Sequence, residues 1–306
     1  MKKIDKILIC IPTFNRNKSL LACLDSIRKL EDFESFNVEV LILDNSYSDT
    51  SKSVVKKYKK KTNLKITHRH ESTRGVVFAR NRCLQISKNI NPKYIAFIDD
   101  DCKVNKKWLV NIFKLLHLVQ VDIITGPQKY EQNKRGLKNN YTSLFEKNYK
   151  KKLVKVKWAA TNNVFFRYNI LKESKKIKFD KNLNKFGMGE DQLFFSLMSK
   201  YGYKIYWSKN IFVTEKIHTH RKNIDWVKER SKRLGILGHY IDIKLNGLLM
   251  GLSLNYLKSL YFFIQTIFFY FCFFSPNRNL NLANSYFRLY GKILGPFKFK
   301  QINFIK

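Results

Sequence analysis

Tyr94-Ile95-Ala96-Phe97-Ile98 is an apolar run of strand length, and it stops in three adjacent carboxylates, Asp99-Asp100-Asp101, before Cys102. A strand buried on both faces of a parallel sheet reads as continuous apolar sequence, and ligands collect at the carboxyl ends of such strands. Three neighbouring carboxylates repel one another, so a fold keeps them together mainly where a cation sits. Hard oxygen donors suit Mg²⁺ or Mn²⁺, and Mg²⁺ commonly shares its site with substrate phosphates. The plainer alternative is a solvated acidic loop that caps a helix over Asn105–His117.

The rest of the chain repeats the strand-then-polar pattern. Ile7–Ile11 is an apolar strand stopped by Pro12, and Leu20, Leu24 and Ile27 mark one stripe of a helix that Asn17 or Ser19 can cap. Val38–Leu43 is a second strand ending in Asp44-Asn45-Ser46, followed by a short basic helix that Asp49, Thr50 or Ser51 starts. Leu64–Thr67 is a third strand, and Arg74-Gly75 precedes a helix near Val76–Ile86. Strands alternating with helices at this spacing predict βα units and a mostly parallel sheet. No G-x-G-x-x-G or Walker sequence follows any strand, so the dinucleotide and P-loop fingerprints are absent.

The second half is less regular. Gln128–Lys152 is polar and lysine-rich without a clear period, which suggests a working loop or a helix beside the active site. Val164-Phe165-Phe166 and Tyr203–Trp207 read as strands, Glu190-Asp191 opens a helix, and Asn223–Tyr240 reads as a basic amphipathic helix. Composition then changes near Leu245. Between Gly247 and Phe274 the only charge is Lys258, and apolar residues fall on every side of the helical wheel. Such a helix is buried, in a core or in a membrane. Its uncharged part falls a little short of the roughly 20 residues a membrane span needs. The chain therefore divides into a catalytic domain over 1–240 and a hydrophobic, basic region over 241–306 that is expected to meet a membrane surface.

Lys and Arg number 59 against 23 Asp and Glu, a formal net charge of +36. Nucleic acid and anionic headgroups are both conceivable partners for such a chain. The lysines are diffuse and no groove-reading motif accompanies them, which argues against nucleic acid and fits a compositional habit. Five cysteines lie far apart and form no C-x-x-C pair, which argues against a zinc site or a disulfide scaffold and fits a reducing compartment. The run after Met1 is too short for a signal segment, so the catalytic part is expected at the cytoplasmic face of a bacterial inner membrane.

Taken in order, Pro12-Thr13-Phe14-Asn15-Arg16, Asp44-Asn45-Ser46, Arg74-Gly75 with Arg80-Asn81, Asp99–Asp101 and Gly189-Glu190-Asp191 resemble the family 2 glycosyltransferases with a GT-A fold. The likeness runs from about Ile7 to Tyr240 and looks closest to the branch with the succinoglycan-type bacterial glucosyltransferases. It implies an α/β GT-A fold and an inverting, metal-dependent transfer from a nucleotide-sugar, a UDP-sugar by family habit, to a saccharide or lipid-linked acceptor. It also implies the site. Pro12, Thr13, Asn15, Arg16, Asp44, Arg74, Gly75, Arg80, Asp99 and Asp100 would bind the donor. Asp99 and Asp101 would hold Mn²⁺ or Mg²⁺, with Asp100 able to replace either. Asp191 would be the general base and Glu190 would orient its loop or an acceptor hydroxyl. Related transferases recruit a histidine from the region of His218 and His220 as a further ligand, with His218 the first choice. Some members carry a second acid where Asn45 stands, which leaves base recognition open. The rivals to this reading are a basic nucleic-acid-binding protein and an idle membrane scaffold with a transferase fold.

Overall fold

The computed structural model describes residues 5–131, 140–146, 149–174, 177–275 and 277–299. It divides into two compact units, one of 1–131 with 147–216, the other of 132–146 with 217–306.

The first unit begins as alternating strands and helices: β1 (Lys6–Thr13), α1 (Asn17–Arg28), β2 (Asn37–Asp44), α2 (Lys52–Lys59), β3 (Lys65–His70), α3 (Val76–Ile90) and β4 (Tyr94–Ile98). It continues with β5 (Cys102–Val104), α4 (Trp108–Leu118), β6 (Ile123–Thr125) and β7 (Gln128–Tyr130). In the second unit α5 (Asn140–Ser143) is a single turn. The chain re-enters the first unit as β8 (Leu153–Val156), β9 (Asn163–Arg167), α6 (Asn169–Glu173), α7 (Glu190–Lys200), β10 (Ile205–Ser208) and β11 (Val213–Glu215). Among the described residues the strands form a sheet in the order β3-β2-β1-β4-β9-β6-β10-β8 and a small one in the order β5-β11-β7. Strands β1 to β4 pair in parallel, and β9 runs against both β4 and β6. The fold is the expected α/β GT-A type; the repeat of βα units does not predict the antiparallel pairings of β9 with β4 and β6, of β8 with β10 and of β5 with β11.

Continuous apolar strands are needed because both faces of this sheet are covered. On β1, Ile7, Ile9 and Ile11 pack with Leu20, Leu24 and Ile27 of α1 and with Trp108 and Ile112 of α4. Leu8 and Cys10 point the other way, among Val77 and Cys83 of α3 and Phe194 and Phe195 of α7. Parallel register sets Thr13 opposite Asp44, and Cys10 opposite Phe97, so β1, β2 and β4 deliver their polar ends along one edge.

Two local expectations change. The acidic triplet does not cap the following helix, because β5 intervenes and α4 starts only at Trp108. Ser51 stands before α2 but gives it no side-chain cap; its hydroxyl is bonded to Asp44 instead.

The second unit holds α8 (Ile224–Asn246), α9 (Leu248–Phe271) and α10 (Arg278–Lys298). Asn223 caps α8 by accepting the Trp226 N–H at 2.8 Å. Gly235 of α8 and Gly291 of α10 let those two backbones meet, since a Cβ at Gly291 would stand 2.1 Å from the Lys232 carbonyl. The apolar run α9 is not a core helix: Gly251 is its only buried residue. No described helix is long and apolar enough to cross a membrane.

Candidate active site

Asp44 is fully buried at the end of β2. It accepts hydrogen bonds from the Ser46 N–H (2.7 Å), the Ser51 N–H (2.7 Å) and the Ser51 hydroxyl (2.6 Å). Burial works to raise this carboxyl, and the serine donors overcome it, holding the group below its ordinary value. The Ser51 hydroxyl also meets His68 Nε2 at 3.0 Å, and that nitrogen lies 3.3 Å from Asp49. Burial holds the His68 imidazole below its ordinary value.

Asn45, next to it, organises the loop before α3. Its amide donates to the carbonyls of Glu71 (2.7 Å) and Thr73 (2.8 Å), and its Oδ1 accepts the Gly75 N–H at 2.8 Å. A carboxylate here could not donate to those two carbonyls, which is why an amide suits this chain. Gly75 takes a φ of +126°, and a Cβ there would stand 1.8 Å from Asn184 Oδ1. Arg74 reaches back to the Asn45 carbonyl at 2.7 Å. Its guanidinium lies between two rings, 4.0 Å from the centre of Phe14 and 3.9 Å from that of Tyr47, a double cation–π stack. The Tyr47 ring is 80% exposed. Neither aromatic stands out by type or spacing in the sequence; only the fold brings them to Arg74.

The acidic triplet separates into three environments. Asp100 is buried and accepts from the Thr13 hydroxyl at 2.7 Å and from Arg16 at 3.2 Å. Burial outweighs both, and the Asp100 carboxyl is pushed up to about 6. Asp101 accepts from the same Arg16 guanidinium at 2.8 Å. Burial raises the Asp99 carboxyl as well, with Arg80 opposing and Asp101 and Asp191 adding repulsion. The Asp99 side chain nevertheless keeps 38% of its surface open.

Arg80, on α3, is buried between the strand end and α7. It lies 3.4 Å from Asp99 and pairs directly with Glu190. Glu190 is itself buried, its carboxyl raised by that burial against the pull of Arg80, and its Oε2 has no hydrogen-bond partner among the described residues. Asp191 is half-buried in the first turn of α7 and accepts the Gln192 N–H at 2.7 Å. It lies close enough to Asp99 and Arg80 to act on both electrostatically. Gly187 and Gly189, at φ +61° and +91°, bend the chain into that turn.

The donor-site positions therefore gather along one edge, with Pro12 and Thr13 closing β1, and Asn15 in the left-handed region (φ 53°), its Oδ1 3.3 Å from Thr50 Oγ1. His218 belongs to the second unit, half-buried just before a short 3₁₀ turn at Thr219–Arg221.

Asp101 and Glu215 offer oxygen donors of the kind a hard divalent cation takes, whereas the thiol beside them is a soft donor. Asp99 is partly open, while the carboxylates of Asp101 and Glu215 and the Cys102 thiol place one ligand atom each within 4.8 Å of one another. Glu215, buried on β11, was not a candidate from the sequence; the pairing of β11 with β5 brings it there.

Three kinds of likeness accompany this geometry. The family model described as Glycosyl transferase family 2 matches residues 8–177. The poly(ribitol-phosphate) beta-N-acetylglucosaminyltransferase TarP of Staphylococcus aureus (strain N315) is 28% identical over 195 residues, which is 62% of this chain and 56% of that protein. The chain thus spans little more than half the length of that relative. Among solved structures, the mannosyltransferase PcManGT from Pyrobaculum calidifontis, in complex with GDP-Man and Mn²⁺, superposes with a TM-score of 0.61 at 14% identity, covering 96% of this chain and 88% of that one. S. aureus TarS 1–349 in complex with UDP superposes with a TM-score of 0.54 at 17% identity, covering 97% and 93%.

Proposed function

The chain belongs to glycosyl transferase family 2, and from that premise we propose that it moves a sugar from a UDP-sugar to a hydroxyl of a cell-surface polymer, with inversion. The observation that carries the proposal is the convergence of Thr13, Asp44, Asp99–Asp101, Arg80, Glu190 and Asp191 on one end of the sheet. That is the end where α/β folds bind their ligands.

Each residue has a task. Asp44, kept ionised by its serine donors, is an acceptor for the ribose or for base N–H groups. Arg74, braced by Phe14 and Tyr47, lines the nucleotide pocket. Asp99 and Asp101 would hold Mn²⁺ or Mg²⁺, which when bound neutralises the charge that develops on the diphosphate leaving group. Asp100 is turned inward to Thr13 and Arg16, so it positions the triplet and leaves ligation to its neighbours. Asp191 takes the proton from the acceptor oxygen as that oxygen attacks the anomeric carbon from the face opposite the leaving group. One carboxylate and a single displacement give inversion. Glu190 acts through Arg80: their buried pair fixes the first turn of α7, and with it Asp191, against the strand that carries Asp99. TarP, by its name, glycosylates poly(ribitol phosphate); an anionic polymer of that kind suits a chain of net charge +36.

The test is a panel of nucleotide-sugars, led by UDP-N-acetylglucosamine and UDP-glucose, scored for transfer with Mn²⁺ or Mg²⁺. It is paired with Asp191→Asn. The amide keeps the shape and cannot take the proton, so UDP affinity stays near that of the unaltered protein while turnover falls by about 10²–10⁴-fold or more. If Asp191 only favours the helix dipole, the substitution costs roughly 1 kcal/mol of stability or less and turnover survives. That result removes Asp191 from the mechanism.

A further inference from the structure

Helix α9 has its polarity turned inside out. The side it gives to the other helices of its unit mixes small and polar residues with Phe262, whose ring faces Arg288 of α10. Gly251 lies against Ile243 of α8, where a Cβ would stand 2.5 Å from the Ile243 Cα. Asn255 accepts from Lys292 of α10 at 3.0 Å, and Lys258 donates to Asp242 of α8 at 2.6 Å. Leu257, Tyr261, Ile264, Phe268 and Phe271, spaced three and four apart, form an outward stripe. They are open to between 56% (Phe268) and 67% (Phe271). A helix on the surface of a water-soluble protein is arranged the other way, with its apolar stripe on the core. Contiguous apolar patches larger than a few hundred Å² are rare on such proteins and mark an interaction site.

The charges around the stripe indicate what covers it. Asp242 is the last acidic residue in the sequence, and eight Lys and Arg follow between Lys244 and Lys306. Two copies placed face to face would bring those like charges together, whereas an anionic lipid surface neutralises them. Tyrosines at 256, 261 and 270 are of the amphipathic kind that sits at a headgroup boundary. Since no described helix is long and apolar enough to cross a membrane, the fitting geometry is in-plane.

We propose that α9 lies in the plane of an anionic bilayer, its aromatic stripe at the boundary of headgroups and acyl chains, with exposed basic residues of the same unit such as Lys244 and Lys298 toward the lipid phosphates. The ion pairs on its inner side then serve orientation: by holding Asn255 and Lys258 against Asp242 and Lys292 they fix which face is presented to lipid. The inference is independent of the sugar chemistry and stands or falls separately from it.

The experiment is flotation of the full chain with phosphatidylglycerol-containing vesicles and, in parallel, with vesicles of phosphatidylcholine alone. The protein floats with the anionic vesicles, and raising the salt to about 0.5 M weakens this without removing the apolar part. A triple substitution, Leu257→Gln with Ile264→Gln and Phe268→Gln, lowers the bound fraction by about tenfold or more. Far-UV circular dichroism and UDP affinity of the variant stay unchanged, which excludes unfolding as the cause. Failure to float with anionic vesicles overturns the proposal. So does a stable dimer that the triple substitution dissociates, since a second copy then covers the stripe.

Discussion

Removing the Arg80 guanidinium tests whether α7 is held where its acid is useful. In Arg80→Met the buried Glu190 carboxylate loses the cation it pairs with, and Asp99 loses a partner at 3.4 Å. Breaking a buried pair from one side costs about 3–5 kcal/mol, because the remaining charge stays out of water. For a unit of this size each kcal/mol moves the melting temperature by roughly 2–4 °C, so a fall of about 6–20 °C is expected. Glu190→Gln is milder, about 1–3 kcal/mol, because Arg80 still has Asp99 to face. The double variant carries neither charge, so its cost should fall short of the sum of the two by about 2 kcal/mol, within the usual range for residues in contact. Urea unfolding followed by tryptophan fluorescence suits the measurement, since Trp108, Trp158 and Trp207 all belong to this unit. Turnover is read on the folded fraction and falls with Arg80→Met even at low temperature. A double variant that is simply additive, or an Arg80→Met protein within about 1 kcal/mol of the unaltered one, would refute the pairing as the element that positions α7.

Three further outcomes follow from the same site. Asp101→Asn abolishes the Mn²⁺-dependent part of UDP affinity while the melting temperature is kept; equal metal-dependent affinities in calorimetric titration would sink the ligand assignment. Gly75→Ala places a Cβ on Asn184 at a φ of +126°. It costs about 1–3 kcal/mol and weakens UDP binding, checked by melting temperature and titration. His68 is held below its ordinary value of 6.5 by burial, so the unfolded chain binds the proton first. The stability it supports is complete above pH 6.5 and is lost as pH falls toward the folded value. His68→Gln therefore flattens the acid side of a plot of melting temperature against pH, and an unchanged slope would contradict this.

The legible parts of this chain are those whose signal is local. A run such as Ile7–Ile11 announces a strand covered on both faces, and it is one, with Ile9 and Leu8 in opposite cores. Asp99–Asp101 declares itself because clustered carboxylates need a reason, while Glu190-Asp191 stands out only through the resemblance to the family. The illegible parts depend on partners distant in sequence. Arg80 meets Glu190 across 110 positions, and nothing near either residue in the sequence shows that pairing. Arg74 gains Phe14 and Tyr47 only when the ends of β1 and β2 come side by side. Glu215 joins Asp101 through a three-residue strand too short to carry a period. The composition of α9 marks a helix that avoids water, yet it cannot say what stands next to it; a core was one of two readings, and the exposure of its stripe removes that one.

The electrostatic arrangement of the first unit is the strongest physical reason to read it as a donor site. In a chain with a large excess of Lys and Arg, six carboxyls (Asp99, Asp100, Asp101, Glu190, Asp191 and Glu215) collect near one strand end, where the guanidiniums of Arg16 and Arg80 pair with four of them. Burial raises Asp99, Asp100 and Glu190, so the fold bears a cost to keep acids there. A fold that needed only packing would relieve this with apolar side chains, since a buried ion pair is often no better than its hydrophobic replacement. A diphosphate entering such a site adds more negative charge. On the proposed reading a divalent cation held by Asp99 and Asp101 would offset that charge. Asp100 is engaged by Thr13 and Arg16, Asp101 by the same Arg16 and Glu190 by Arg80, so a cation at Asp101 would share that carboxylate with a guanidinium. On that reading Asp191, half-buried in the first turn of α7, would take the proton of an incoming hydroxyl.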